Sequence, residues 1–555
     1  MEQIIANIIK QHFDVDVEVQ LSRPDPQFGD YATNIALQLA GRLQKNPRDI
    51  AEELATALRE TKEFSDVSVA GPGFINMKLS DERLHEALTT MLQTGYGNSH
   101  AYEGKVVITE YSDPNPFKVL HAGHFYTSVV GDAMSNLIEA AGGEVHRVNF
   151  GGDVGMHVAK TIWAIMLALG GEYPEKLNEI PEADRSEWMA QQYVIGTNAY
   201  EEDDVAKEAI VALNKKVYQL HTDNDHESAL AQLYWTCRTW SYDYFNAFYD
   251  RIGTHFEKYY PESETAPIGL ATVLAQKENG VYKDSDGAVI FEGELYGLHT
   301  RVFINKEGLP TYEAKDVGLS IKKWDDYQFD QSVIITGNDI TEYMKVVLKS
   351  IEQFKPELAE RTLHVTHGNV KLVGGVKMSS RKGNFLRAVD VLDAAADENE
   401  QAVGNREDTV VIGAIKYAFL KNRVGPDIIF DPKESVAIHG NSGPYLQYAH
   451  ARARSILEKV TNTEMRSHSL DPQERTLLVK LTEFPDVIAQ ATEHLSPHLI
   501  CTYLYEVSQT FNRFYEQSRI VGDEREAERA RLVEAYASVL NNGLTRLGIH
   551  APEHI

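Results

Sequence analysis

The chain has 555 residues, 43% of them hydrophobic and 25% charged, the proportions of a globular protein with room for about three to four domains. A formal net charge of −28 argues against a protein that coats nucleic acid through an overall positive field, although a local basic groove on an acidic body stays open. The two cysteines, Cys237 and Cys501, lie far apart and outside any CxxC pair, which excludes a disulfide framework and a cysteine-based zinc site and fits a reducing, cytoplasmic setting. The opening MEQIIANIIKQHF has no basic n-region, and no apolar run is long enough to span a bilayer, so neither a signal peptide nor a membrane partner is expected.

In chain order, residues 1–80 combine a helical start, the segment PQFGDYATNIALQLAGRLQ, a helix over Pro47–Arg59 and a strand-like close, VSVAGPGFINMKL, which reads as a small α+β module. From Lys105 the pattern changes. KVVITEY is a buried strand and Ser112–Pro116 a turn; Ala122–Ala141 has helical spacing, EVHRVNF is a second strand, and a helix starts near Gly155. TYEAKDVGLSIKKW (helix), SVIITG (strand) and ITEYMKVVLKSIEQF (helix) resume the alternation, so residues 104–395 are expected to form a Rossmann-like α/β domain on a parallel sheet. Residues 170–303 read as an insertion that splits it, and residues 410–555 as an all-α bundle.

Two segments carry chemistry. VLHAGHFYTSVV places His121, Gly123 and His124 at a strand–helix junction, where two imidazoles beside a helix N-terminus can donate to phosphate oxygens. The glycine lets a purine or backbone come close. VKMSSRKGNF sets Lys377, Arg381 and Lys382 among Met378, Ser379, Ser380 and a glycine, a loop whose cations could close over the β- and γ-phosphates. Alone, the first could be two surface histidines in a turn and the second a solvated basic loop. Together, in this order on these elements, they resemble the paired signature of the class I aminoacyl-tRNA synthetases.

The neighbouring residues resemble the arginyl branch of that family. EYSDPNPFKVLHAGH, RVNFGGDVGM and PTYEAKDVGL match its pattern around the first signature, the stretch after it and its Tyr-x-x-x-Asp helix. The resemblance implies an enzyme that activates L-arginine with ATP, bringing Mg²⁺ with the phosphates, and transfers it to the 3′ end of tRNA(Arg). A guanidinium asks for charge-assisted recognition by carboxylates, which points to Glu110 and Asp316 with Asn115 and Tyr312 as partners. Lys118 is the lysine such enzymes carry when the fourth position of the second signature is not lysine, and it would share the phosphate contact. HGNVKL resembles the segment that lines adenine, through backbone at Gly368 and Val370.

PQFGDYATNIALQLA and AGPGFINMKL resemble the family's tRNA-elbow module, with Phe28 and Asn34 as candidate contacts; GNSGPYLQYAHARARSIL resembles the start of its anticodon-binding domain, with Tyr445, Gln447, Tyr448 and Arg452. A monomer is expected. The chain departs from the family pattern at Phe125–Tyr126, where an arginine is usual, at Ile340, where a glutamine often stands, and at His157. Two other readings stay open: another class I synthetase, or a non-catalytic tRNA-binding relative. A cysteinyl enzyme is excluded by the missing zinc ligands.

Overall fold

In a computed structural model describing residues 1–373, 386–465 and 469–555, the chain up to Met91 forms a three-stranded antiparallel sheet with three helices (Glu2–Phe13, Ile35–Leu43, Pro47–Arg59) and a fourth, Asp81–Met91, that packs on the C-terminal helices. The third helix shows why these residues fold as they do. Asn46 accepts a hydrogen bond from the Arg48 amide, Pro47 takes a position that needs no amide, and Ile50, Leu54, Ala55 and Leu58 bury one face.

The central sheet has five parallel strands, β1 (Val106–Glu110), β2 (Glu144–Gly151), β3 (Lys258–Pro261), β4 (Gln331–Gly337) and β5 (Thr362–His367), in the spatial order β5-β4-β1-β2-β3. Inner strands β1 and β4 are near-continuous apolar runs because helices cover both faces. The strand order reverses between β1 and β4. Loops leave the carboxyl ends of these two strands in opposite directions, and the crevice between them is where open α/β sheets bind ligands.

The helices that frame this crevice are α1 (Ala122–Ala140), α2 (Ala229–Ile252), α3 (Glu262–Glu278), α4 (Tyr312–Tyr327) and α5 (Thr341–Glu352). The last third of the chain adds α6 (Asp408–Leu420), α7 (Gly443–Leu457), α8 (His498–Gln517) and α9 (Glu526–Arg546). No helix among the described residues is long and apolar enough to cross a membrane.

Two expectations about the elements are corrected. Residues 170–303 do not all lie outside the sheet: β3 pairs with β2 from Val148–Lys258 to Gly151–Pro261 and forms one edge. An edge strand can be short and end in proline because its outward amides need no strand partner, and four residues carry no readable periodicity. The C-terminal part is not all helix either. Ile428–Phe430 pairs in parallel with Val370–Leu372, joining the end of the α/β region to the segment after β5.

The N-terminal module docks on the C-terminal helices. The Arg475 guanidinium reaches both Asp30 oxygens at 3.2 and 2.7 Å and the Leu79 carbonyl at 2.9 Å. Arg23 reaches Asp486 at 3.0 Å and the Thr482 carbonyl at 3.1 Å. Bidentate, half-buried arginine contacts of this kind fix orientation as well as adding energy.

Candidate active site

A cavity of about 990 Å³ opens at the carboxyl ends of β1 and β4. His121, Gly123, His124, Glu110, Asn115, Tyr312, Asp316, Gly368 and Val370 all line it, so the fold gathers residues from four separate segments into one wall. Lys118 is not among the described residues of that wall; its ammonium sits 4.7 Å from the centre of the Tyr193 ring. Lys377, Met378, Ser379 and Arg381 lie outside the described residues.

The histidine pair is built into the start of α1. His121 is its N-cap, and its Nδ1 accepts from the amides of Gly123 (3.1 Å) and His124 (3.3 Å). His124 Nδ1 accepts in return from the His121 amide (3.2 Å), and the two rings stack with centroids 3.6 Å apart. An imidazole nitrogen that accepts is unprotonated, so each neutral ring carries its proton on Nε2. Burial, with Lys118 adding, pushes His121 down to about 4; burial, with His121 and Lys118 adding, puts His124 well below the ordinary imidazole range. Both rings are therefore neutral donors at neutral pH, next to the partial positive charge of a helix N-terminus.

Gly123 serves the ring as well as the ligand. A Cβ there would lie 2.8–2.9 Å from the His121 imidazole. Gly368 has a similar reason: a Cβ would come within 2.3 Å of the backbone of Pro426 and Asp427, so only glycine lets that segment cross under the cavity. The residues after the second signature close the arrangement, with Leu386 accepting from the Ala122 amide (2.8 Å) and Ala388 donating to Leu120 (2.9 Å).

The remainder of the cavity is acidic. Glu110 is buried and ion-paired with Lys323, and Glu262 is buried with Lys315 at 2.6 Å. Burial works against the Lys315 ammonium, but Glu262 beside it outweighs that and holds it charged. Asp113 and Asp316 differ: among the described residues neither has an ion-pair partner. Asp113 accepts from the Phe150 amide (2.8 Å), and Asp316 accepts from the Tyr343 hydroxyl. Burial raises Asp316 to about 7, with Glu110 and Glu262 adding and the Tyr343 bond opposing; burial, then Glu110, raises Asp113 well above the usual carboxylate value. Such a site is short of positive charge.

Asp113, Glu262, Arg301, Asp339 and Tyr343 also line the cavity and were not singled out from sequence. Asp113 sat unremarked inside SDPN. Glu262 was hidden because its segment read as insertion; the usable signal was an acid opening a helix straight after a strand, PES following KYY.

The loop carrying Asp113 and Asn115 is strained. Ser112, Asp113 and Phe117 have φ of 74°, 50° and 68°, left-handed values that cost an L-residue about 1–2 kcal/mol each. Tertiary contacts must hold it, one of them the Asn115 side-chain oxygen Oδ1 accepting from the Gly152 amide at 2.8 Å.

Comparison with known proteins matches three family models in order along the chain: the arginyl tRNA synthetase N terminal domain over residues 1–79, the class I (R) tRNA synthetase catalytic domain over 86–431, and the DALR anticodon binding domain over 446–555. The chain belongs to the arginyl-tRNA synthetases. Relatives include the arginine–tRNA ligase of Treponema denticola, 30% identical over 94% of this chain and 92% of that one, and that of Porphyromonas gingivalis, 27% identical over 100% and 99%. In fold the chain is similar to the arginyl-tRNA synthetases of Thermus thermophilus (TM-score 0.78, 24% identity, 100% and 99% covered) and Plasmodium falciparum (0.78, 22%, 100% and 98%).

Against the arginyl-tRNA synthetase pattern, the departures have structural explanations. Phe125 and Tyr126 are fully buried and meet Phe419 edge-on at 5.4 and 5.3 Å, so an aromatic cluster joining α1 to α6 stands where an arginine is usual. His157 is buried, 2.7 Å from the Gly152 carbonyl, and burial holds it neutral. Ile340 lines the cavity and brings no polar group to it.

Of the expected tRNA contacts in this synthetase fold, Phe28 is 54% exposed and Asn34 is exposed at the cap of its helix. Tyr445, Tyr448 and Arg452 share one helical face of α7, the tyrosines half-buried and Arg452 exposed. Gln447 is a correction. It is 0% exposed, on the opposite face, and its amide donates to the carbonyls of Thr409 (3.1 Å) and His550 (2.9 Å), tying α7 to α6 and the C-terminus. A buried amide whose NH2 donors are both taken by backbone carbonyls is a structural clamp and cannot read a base.

Proposed function

We infer that the chain is an arginine–tRNA ligase, which joins L-arginine to ATP as arginyl-adenylate and passes it to the 3′ end of tRNA(Arg), releasing pyrophosphate and AMP. The observation that carries this reading is the charge of the cavity in a chain of this family. Among the described residues Asp113 and Asp316 face it without an ion-pair partner, beside a pair of neutral imidazoles. A guanidinium or an ammonium supplies the missing charge, and carboxylates can bind a guanidinium with two parallel hydrogen bonds.

In this reading Asp316, Asp113, Glu110, Asn115, Tyr312 and Glu262 hold arginine, and the segment at Gly368 and Val370 faces adenine. The arginine carboxylate attacks the α-phosphate while pyrophosphate leaves. Nε2–H of His121 and His124 donate to the phosphoryl oxygens as negative charge builds, at no cost in reorganisation because the capping bonds already fix both rings. Lys118, Lys377 and Arg381 meet the β- and γ-phosphates, and Mg²⁺ arrives with ATP. The tRNA lies across Phe28 and Asn34 at one end and the Tyr445, Tyr448, Arg452 face at the other. The enzyme acts as a cytoplasmic monomer.

The test is attachment of radiolabelled amino acids to total tRNA with ATP and Mg²⁺, one amino acid at a time. Arginine alone should be charged. Charging of a different amino acid would overturn the pocket assignment and leave the activation chemistry standing. Tight tRNA binding with no charging would favour a non-catalytic relative.

A further inference from the structure

Helix α2 belongs to the region that sequence reads as an insertion, yet it meets the substrate-facing loop at two of its three left-handed residues. Ser112 Oγ lies 2.7 Å from the Tyr249 hydroxyl. The Phe117 amide donates to Ser241 Oγ at 2.9 Å, and Ser241 in turn donates to the Cys237 carbonyl. Asn149 also donates to the Tyr249 oxygen, at 3.3 Å. All four of Ser112, Phe117, Ser241 and Tyr249 are buried, so water cannot replace these bonds.

The same helix reaches the other wall of the cavity. Tyr234 donates to the Asp153 carbonyl (2.9 Å), and Arg238 pairs with its carboxylate (3.0 Å). Asp153 accepts from the amide and hydroxyl of Ser263 (2.9 and 2.7 Å), the residue after Glu262. Tyr234, Arg238, Ser241, Phe245 and Tyr249 follow one another at spacings of three and four, so a single face of α2 carries every contact. An ordinary core-facing stripe would be apolar throughout; this one places polar groups where the loop needs partners.

We propose that α2 is the brace of the site, with Ser241 and Tyr249 as positioning residues that hold the Ser112–Phe117 loop in its left-handed conformation and so aim Asp113 and Asn115 at the substrate. The loop cannot choose that conformation by itself, because Ser112, Asp113 and Phe117 are not glycine and disfavour positive φ. Removing either hydroxyl frees the loop to relax, without emptying any volume of consequence. The kinetic consequence rests on the ligase reading above; the brace itself does not.

The experiment uses the full chain with Tyr249→Phe and Ser241→Ala, each read by hydrogen exchange and by aminoacylation kinetics. Exchange over residues 111–118 is expected to quicken at least about fivefold, while β4 exchanges as in the unaltered chain. kcat/KM for arginine should fall about tenfold, with the KM for tRNA unchanged. Unaltered exchange in the loop, or a quickening spread evenly over the molecule, overturns the brace. Failure of the unaltered chain to charge arginine sinks the ligase reading instead, and loop exchange still decides the brace. If exchange quickens but arginine kinetics hold, Ser241 and Tyr249 are not positioning residues.

Discussion

At Asp316, burial raises the carboxyl to about 7, against an ordinary aspartate value near ~3.9. The folded form therefore holds its proton more tightly than the unfolded one. Its contribution to stability is full below about pH 4 and is lost as pH rises through about 7. A bound cation reverses the preference, so arginine binding below about pH 7 must expel a proton. Arginine KM should then rise by up to about tenfold for each pH unit below 7. Asp316→Asn should raise KM at pH 8 and flatten that slope, as read from KM against pH for both proteins. A flat profile in the unaltered chain would mean that Asp316 does not meet the cation. His121, pushed down to about 4, does not titrate in the same window.

At the scale of an element, the first turn of α1 does two jobs at one place. It ends a helix and it presents two rings, and the glycine between them is where the jobs meet. Gly123→Ala should improve helix propensity by about 1 kcal/mol. Its Cβ, at 2.8 Å from the ring, also drives His121 off the cap, a loss of about 0.5–2 kcal/mol. The two nearly cancel, so Tm should move little, while aminoacylation should fall at least about a hundredfold because the Nε2 donors are displaced. Retained activity at unchanged Tm would remove the capped geometry from the mechanism. The HxGH spacing was legible in sequence and so was the helix that follows it. That the rings cap one another, and thereby fix which nitrogen donates, was not, since it depends on side-chain rotamers that no spacing encodes.

At the scale of the molecule, the modules are bonded into one body. Arg475 and Arg23 clamp the N-terminal module to the C-terminal helices, and Gln447 ties α7 to the chain's end. This separates two residues only five positions apart. Gln447→Ala removes two part-buried hydrogen bonds to backbone and should cost about 1–3 kcal/mol of stability, with the KM for tRNA barely altered at temperatures where the protein is folded. Arg452→Ala, at an exposed position, should leave Tm within a degree or two and raise the KM for tRNA several-fold. Melting curves alongside tRNA titrations distinguish the two, and the reverse pattern would exchange their roles.

Sequence alone determined the order of modules, the alternation that makes a parallel sheet, and the two signatures, because these depend on local periodicity and on residues close together in the chain. It also named four acidic or polar partners, Glu110, Asn115, Tyr312 and Asp316, that line one cavity with the histidine pair. Only the tertiary structure decided the state of each charge. Glu110 and Glu262 are ion-paired with Lys323 and Lys315, while Asp113 and Asp316 have no such partner among the described residues, and nothing in the linear order distinguishes them. Likewise α2 shows the spacing of any amphipathic helix. Its Ser241 and Tyr249 acquire meaning only because folding sets them against a loop more than 120 positions earlier. Burial and partner choice are long-range properties, and they decide which of the visible residues can bind, donate or merely hold the frame.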